Sequence, residues 1–324
     1  MKRGRDKMPS AIIVGATGQD GTFLYHHLEE KKYSLLGIGR RKVITNIKDW
    51  DGPRTCDICN FEEVIRIVQE LQPDEIYHLA AVHHSSQDPV AEPVNLLHQS
   101  YDVNVVSLFN FLEAIRQFSP HTKLFYAASS HIFGKPTDEP QDENTLINPL
   151  AIYGITKASG MYLCRMYRSV HHVFASVGIL YNHESWLRGE QFVSQKIVKG
   201  AINCQKNPQN RVILGDLAVE VDWGFAPDYV DAIHRIVLHT EADDFIIATG
   251  EKHTVEEFVS IAFDALGLDW REYVEERKEI ITRTTAALVG NPAKLMRITG
   301  WKRSITFSDM VKLLVEKTGE QNER

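Results

Sequence analysis

The segment that most restricts this chain is AIIVGATGQDG at residues 11–21, a short apolar run followed by Gly15, Gly18 and Gly21 and then by a polar, amphipathic stretch from Gln19 to Lys31. An apolar run of this length reads as a buried strand and the stretch after it as a helix, so the glycines fall in the turn between them. The first glycine permits a tight bend, and the second lets the backbone approach a pyrophosphate. The helix start adds free N–H groups and positive dipole. The alternation then recurs. Strand-like YSLLGI (33–38), DEIYHLA (74–80), KLFYAAS (123–129) and HVFASVGIL (172–180) are separated by helix-like segments over 61–71, 93–118 and 153–170. Parallel strands need crossover connections, and helical crossovers cover both sheet faces. The pattern therefore predicts an α/β, doubly wound, mostly parallel sheet with ligands at the carboxyl ends of its strands.

Beyond Tyr181 the pattern changes to a helix near 190–205, a strand at 211–215, a helix at 228–240, a strand at 245–249 and then mostly helical segments. We read a dinucleotide-binding domain over 8–182 that regains its sheet at about 224–252. A smaller mixed α/β domain takes 183–223 and 253–324, a division that suits 324 residues. With 36 basic against 43 acidic residues the net charge is −7, which argues against a nucleic-acid partner. Four cysteines in a chain this long are no disulfide framework, and a cytoplasmic location is expected. Cys56 and Cys59 form a CxxC pair without a second ligand pair, so no metal site is expected. The apolar run after the basic amino terminus is too short for a secretion signal, and no stretch reaches the ~18 to 20 apolar residues of a membrane span.

Three features carry chemistry. Where an acidic residue would meet the ribose of NAD, the second predicted strand ends in GIGRRK, and Arg40 and Arg41 suit a 2′-phosphate, favouring NADP over NAD. Of the eleven tyrosines only Tyr153 has a lysine four residues on, which puts Lys157 on the same helix face. A cationic Lys157 there would lower the phenol toward working pH and make Tyr153 an acid/base for alcohol oxidation. AASSH at 127–131 ends the preceding strand, placing Ser129 or Ser130 where a hydroxyl could hold the reacting oxygen.

With GATGQDG, GIGRR, LQPDEIYHLAA, DVN at 102–104, YGITK and especially GILYNHESWLRGEQFVSQKI at 178–197, the chain resembles the extended short-chain dehydrogenase/reductase family, and most of all its GDP-mannose 4,6-dehydratases. The resemblance covers nearly the whole chain. It implies a Rossmann-type NADP-binding domain, a carboxyl-terminal domain for a nucleotide sugar, and a reaction that oxidises C4, eliminates water across C5 and C6, and returns the hydride to C6. It also implies that Tyr153, Lys157 and Ser129 carry the hydride step, that Gly15, Gly18, Gly21, Arg40, Arg41 and Asp57 hold the cofactor together with Tyr153 and Lys157, and that His84, Asn182, Val193, Lys196 and Arg283 line the sugar-nucleotide site.

Two departures from the family bear on the chemistry. His131 stands at the family's catalytic glutamate, and a neutral imidazole can still remove a proton. Val221 stands where the family has an arginine before the DWG aspartate. The glutamate's absence keeps a C4 reductase or an epimerase open as an alternative, and a non-catalytic dinucleotide sensor as a remoter one. A homodimer packed through the helices at 93–118 and 153–170 is expected.

Overall fold

A computed structural model describes residues 8–82, 93–280 and 287–322. The first half alternates strand and helix: β1 (Ser10–Val14), α1 (Gln19–Glu30), β2 (Ser34–Ile38), β3 (Val43–Thr45), α2 (Phe61–Leu71), β4 (Glu75–His78), α3 (Pro93–Tyr101), α4 (Ser107–Phe118), β5 (Lys123–Ser129), α5 (Ile152–His171) and β6 (Ala175–Leu180). There follow β7 (Asn182–Glu184), α6 (Val193–Lys206), β8 (Val212–Leu214), β9 (Glu220–Val221), β10 (Trp223–Phe225), α7 (Ala226–Leu238), β11 (Asp244–Ile247), β12 (His253–Thr254), α8 (Val255–Asp264), β13 (Val274–Glu276), α9 (Ala293–Thr299) and α10 (Phe307–Asn322).

Seven strands form one sheet in the order β11-β6-β5-β4-β1-β2-β3, parallel except for β3, which runs antiparallel to β2. Both faces are covered, as a parallel sheet requires. Successive residues of β1 show why its run is uniformly apolar. Ile12 and Val14 join the core under α2, α4 and α5, whereas Ala11 and Ile13 join the core under α1, α7 and α9. β11 lies at the sheet edge beside β6, and its Asp244 carboxylate receives Arg165 at 2.6 Å and Arg168 at 3.1 Å from α5. A third apolar core lies among α6, α8 and α10.

The expected single helix over 93–118 is divided. A π-helical turn, Asp102–Val106, separates α3 from α4. The Asn104 side chain there accepts from Val82 N–H at 2.9 Å and donates to Thr156 Oγ1 at 2.9 Å, and its carbonyl accepts from Tyr126 Oη at 3.3 Å. These bonds anchor the turn to the loop after β4 and to α5, the sort of setting in which π turns recur. The strand expected from 172 starts only at Ala175, because α5 runs to His171 and His172 closes it in the left-handed conformation, φ 56°.

Candidate active site

The chain order reverses between β1 and β4, and the crevice beyond their carboxyl ends is where such sheets bind ligands. Gly15 leaves β1 with φ +92°, and a Cβ there would stand 2.8 Å from Ala80 N, so only glycine fits. Gly18 is the N-cap of α1 and brings no side-chain cap, which leaves the first-turn amides for an anion, while Gly21 is buried in that turn. Arg40 and Arg41 lie exposed just past β2, the strand next to β1. Asp57 is exposed in the turn before α2, where one carboxylate oxygen accepts Cys59 N–H at 2.9 Å.

Ser129 ends β5, and its Oγ accepts His131 N–H at 3.3 Å to open a tight turn over Ser130–Phe133. Tyr153 lies in the first turn of α5, with its phenol hydrogen-bonded to Ser129. The His131 and Tyr153 rings meet edge to face, 5.7 Å between centroids. Gly154 allows that approach, since a Cβ there would stand 2.5 Å from the His131 carbonyl oxygen. Burial holds the His131 imidazole below its ordinary pKa, in the neutral form that can accept a proton.

Lys157 behaves otherwise than its spacing suggests. It is 1% exposed, its Nζ donates to Ala127 O at 2.7 Å, and it lies 5.8 Å from the Tyr153 ring centroid. Burial pushes its pKa down to about 7. Burial likewise pushes Tyr153 up to about 12, against opposing pulls from the Ser129 hydrogen bond and the Arg188 charge. The lowered phenol expected from a neighbouring cation is therefore not found: burial of the phenol is the largest effect on it, and Lys157 is not among the groups that pull it down.

Asn182 is exposed at the start of β7, just beyond the carboxyl end of β6. Val193 opens α6, and Lys196 follows within its first turn, half-buried, with burial lowering its pKa. The start of α6 is tied to β7 and the residue after it by Ser194 Oγ donating to Glu184 at 2.5 Å and Gln195 Nε2 donating to Ser185 O at 2.9 Å. Val221 pairs with His253 across β9 and β12 and packs against the third core. His84 and Arg283 lie outside the described residues.

Four residues of this site were missed by sequence reasoning. The ring of His183 stacks on Tyr229, 4.5 Å between centroids, and its Nε2 is 3.0 Å from both oxygens of Asp20. Gln19 Nε2 donates to His183 O at 3.1 Å. The Arg188 guanidinium lies 3.7 Å over the Phe192 ring and 3.5 Å from Glu184. Asp20 and Gln19 sit inside the glycine motif and His183 inside NHES, so their place in two motifs already singled out was the available signal. Among the described residues no cluster of three or more His, Cys, Asp or Glu side chains is placed to hold a metal, and no helix is long and apolar enough to cross a membrane.

A strand-glycine turn-helix opening at the switch of a parallel sheet, with serine, tyrosine and lysine converging at the end of β5, defines a Rossmann-type fold of the short-chain dehydrogenase/reductase kind. Two solved structures share it over 97% of this chain. One is dTDP-glucose 4,6-dehydratase from Bacillus anthracis in complex with NAD (TM-score 0.80, 20% identity, 97% of that chain), and the other is RMD from Pseudomonas aeruginosa complexed with NADPH (TM-score 0.81, 20% identity, 100% of that chain). The family model "GDP-mannose 4,6 dehydratase" matches residues 12–314. GDP-mannose 4,6 dehydratase 2 of Arabidopsis thaliana is 33% identical over 333 residues, 97% of this chain and 88% of that protein. The chain belongs to the GDP-mannose 4,6-dehydratase family, a family of enzymes.

Proposed function

We propose that the protein is an NADP-dependent 4,6-dehydratase acting on a hexose linked to a nucleoside diphosphate, with guanosine the nucleoside the family suggests. The observation that carries this reading is the contact of two proton-transfer groups, the Tyr153 phenol on Ser129 and the His131 ring edge-on to it. Dehydration needs such a pair, because one proton leaves the C4 hydroxyl oxygen and another leaves the neighbouring carbon, C5. The glycine turn, Arg40, Arg41 and Asp57 would hold the dinucleotide with Tyr153 and Lys157, and the bound nicotinamide supplies a hydride acceptor and later a donor. Ser129 holds the C4 oxygen while Tyr153 takes its proton. The resulting ketone acidifies C5, His131 removes that proton, and the imidazolium so formed gives it to the departing C6 hydroxyl, which leaves as water; as C6 regains a hydride, C5 takes a solvent proton by way of His131. Asn182, Val193 and Lys196 line the sugar-nucleotide side, with His84 and Arg283 assigned there by resemblance.

His131 in place of the family glutamate favours one second reading, a reductase or epimerase working at C4 without loss of water. The NADP-binding domain is assigned to 8–182 and 224–252 and the substrate domain to 183–223 and 253–324. A homodimer fits the apolar stripe that α4 and α5 expose, in which Phe109 is 41%, Tyr162 53% and Val170 61% exposed. Incubation with GDP-mannose and other nucleotide sugars, with NADP or NADPH, followed by mass spectrometry and NMR, tests the reaction. Loss of one water without net change of cofactor supports dehydration. A stereochemical change without change of mass, or net consumption of NADPH, replaces it with the second reading.

A further inference from the structure

His183 and Asp20 are 163 residues apart in sequence and in direct contact in the fold. His183 Nδ1 is 2.7 Å from the carbonyl oxygen of Tyr181, and Nε2 is 3.0 Å from each oxygen of Asp20. A carbonyl and a carboxylate only accept, so both ring nitrogens donate, which an imidazole can do only when doubly protonated. Gln19 braces the same joint. Its Nε2 donates to His183 O at 3.1 Å and to Asp20 Oδ1 at 3.2 Å, and its Oε1 accepts from Ser185 Oγ at 2.7 Å.

We infer that Asp20 is a positioning residue of the active site: by holding His183 as an imidazolium it locks β7 and the turn from Ser185 to Arg188 onto the glycine turn, so that one part-buried ion pair sets the spacing between the dinucleotide side and the sugar side of the cleft. The two charges that face the ring pull in opposite directions, Asp20 favouring the imidazolium and Arg188 opposing it. Asp20 faces it from α1, Arg188 from the turn after β7, and the neutral ring of Tyr229 from α7, while Glu184 turns to Ser194 and Arg188. Burial pushes the His183 ring down, yet the Asp20 charge and hydrogen bond more than reverse it. Burial likewise pushes the Asp20 carboxyl up, and His183, with help from Gln19 and Arg188, holds it below the usual value. Tyr153 and Lys157 both feel the Asp20 charge, so the pair also fixes the field at the reacting atoms.

The kinetic part of this inference rests on the dehydratase reading and the spectroscopic part does not. Nitrogen-15 NMR of the protein with NADP bound, with His183 assigned by comparison with His183→Gln, should show both ring nitrogens protonated from about pH 6 to about pH 8, where a free histidine loses its proton. A ring that titrates in that range overturns the inference. In Asp20→Asn the ring should titrate near the ordinary histidine value of ~6.5, so its protonated fraction, and with it kcat/KM relative to the unmodified protein, should fall by roughly twentyfold between those pH values. A constant ratio overturns the positioning role. If Asp20→Asn does not fold, the spectrum of the unmodified protein alone decides. A persistent imidazolium in a protein that turns over no nucleotide sugar supports the ion pair and refutes the dehydratase reading instead.

Discussion

Replacing Lys157 with methionine should make the protein more stable and inactive. Methionine matches the length of lysine, suits a helix and carries no charge. Lys157 is dry, with its ammonium over the Tyr126 ring at 5.1 Å and one hydrogen bond, to Ala127 O. Burial lowers its pKa from 10.5 to about 7, which at ~1.4 kcal/mol per unit is a penalty of about 5 kcal/mol on keeping the proton in the folded state. Losing the hydrogen bond to Ala127 costs about 1 kcal/mol, so Lys157→Met should gain about 4 kcal/mol near pH 6. The sign follows from proton uptake. The unfolded chain binds the proton near 10.5 and the folded chain only near 7, so between those values falling pH favours unfolding of the wild type. The advantage of the variant should therefore shrink to about 1 kcal/mol near pH 9. Urea unfolding of the cofactor-free proteins at the two pH values, followed by tryptophan fluorescence, measures this directly. A difference that does not change with pH, or one that grows as pH rises, refutes the reasoning.

Tyr153→Phe should lower turnover by at least about a hundredfold, the usual worth of a positioned acid/base, and leave dinucleotide binding intact in a fluorescence titration. His131→Ala should stop deuterium exchange at C5 in heavy water while C4 oxidation persists. Because burial holds the imidazole below its ordinary value, the acid limb of its pH profile should lie below about 6.5, and a limb above that value refutes its assignment as the base. Tyr162→Glu with Met166→Glu, on the exposed stripe of α5, should convert a dimer to monomer in analytical ultracentrifugation without unfolding it.

What could be read from sequence was what is local. The run from Ala11 through Gly21 encodes strand, turn and helix within eleven consecutive positions, and the structure forms them with ends shifted by a residue. Tyr153 and Ser129 were found for the same reason, since one is fixed by a helical spacing and the other by a strand end. The division of the helix over 93–118 was not legible, because the bonds that hold its π turn run from Asn104 to Val82 and Thr156, partners that no periodicity specifies. The ion pair of Asp20 and His183 was hidden likewise, being closed by folding across most of the Rossmann sheet. The lysine of YGITK was found, but its dryness and that of the phenol were not, and burial of the phenol reverses the expected effect on it.

That reversal has a consequence for the direction of catalysis. With the Tyr153 pKa at about 12, the phenol is protonated at neutral pH, so donating a proton to a C4 ketone costs these residues nothing. Accepting the C4 hydroxyl proton requires phenolate first, which from about 12 costs about 7 kcal/mol near pH 7. The offset must come from positive charge. Arg188 already pulls in that direction, a protonated Lys157 and an oxidised nicotinamide have the required sign, and Asp20 has the opposite one. Pairing Asp20 with His183 removes much of that opposition, since a carboxylate whose charge is matched at 3.0 Å acts on its surroundings as a dipole and not as a net charge. The same ion pair that holds β7 in place therefore lowers the cost of the oxidation step, and the buried lysine, which destabilises the fold, is retained because its cation works against the remainder of that cost.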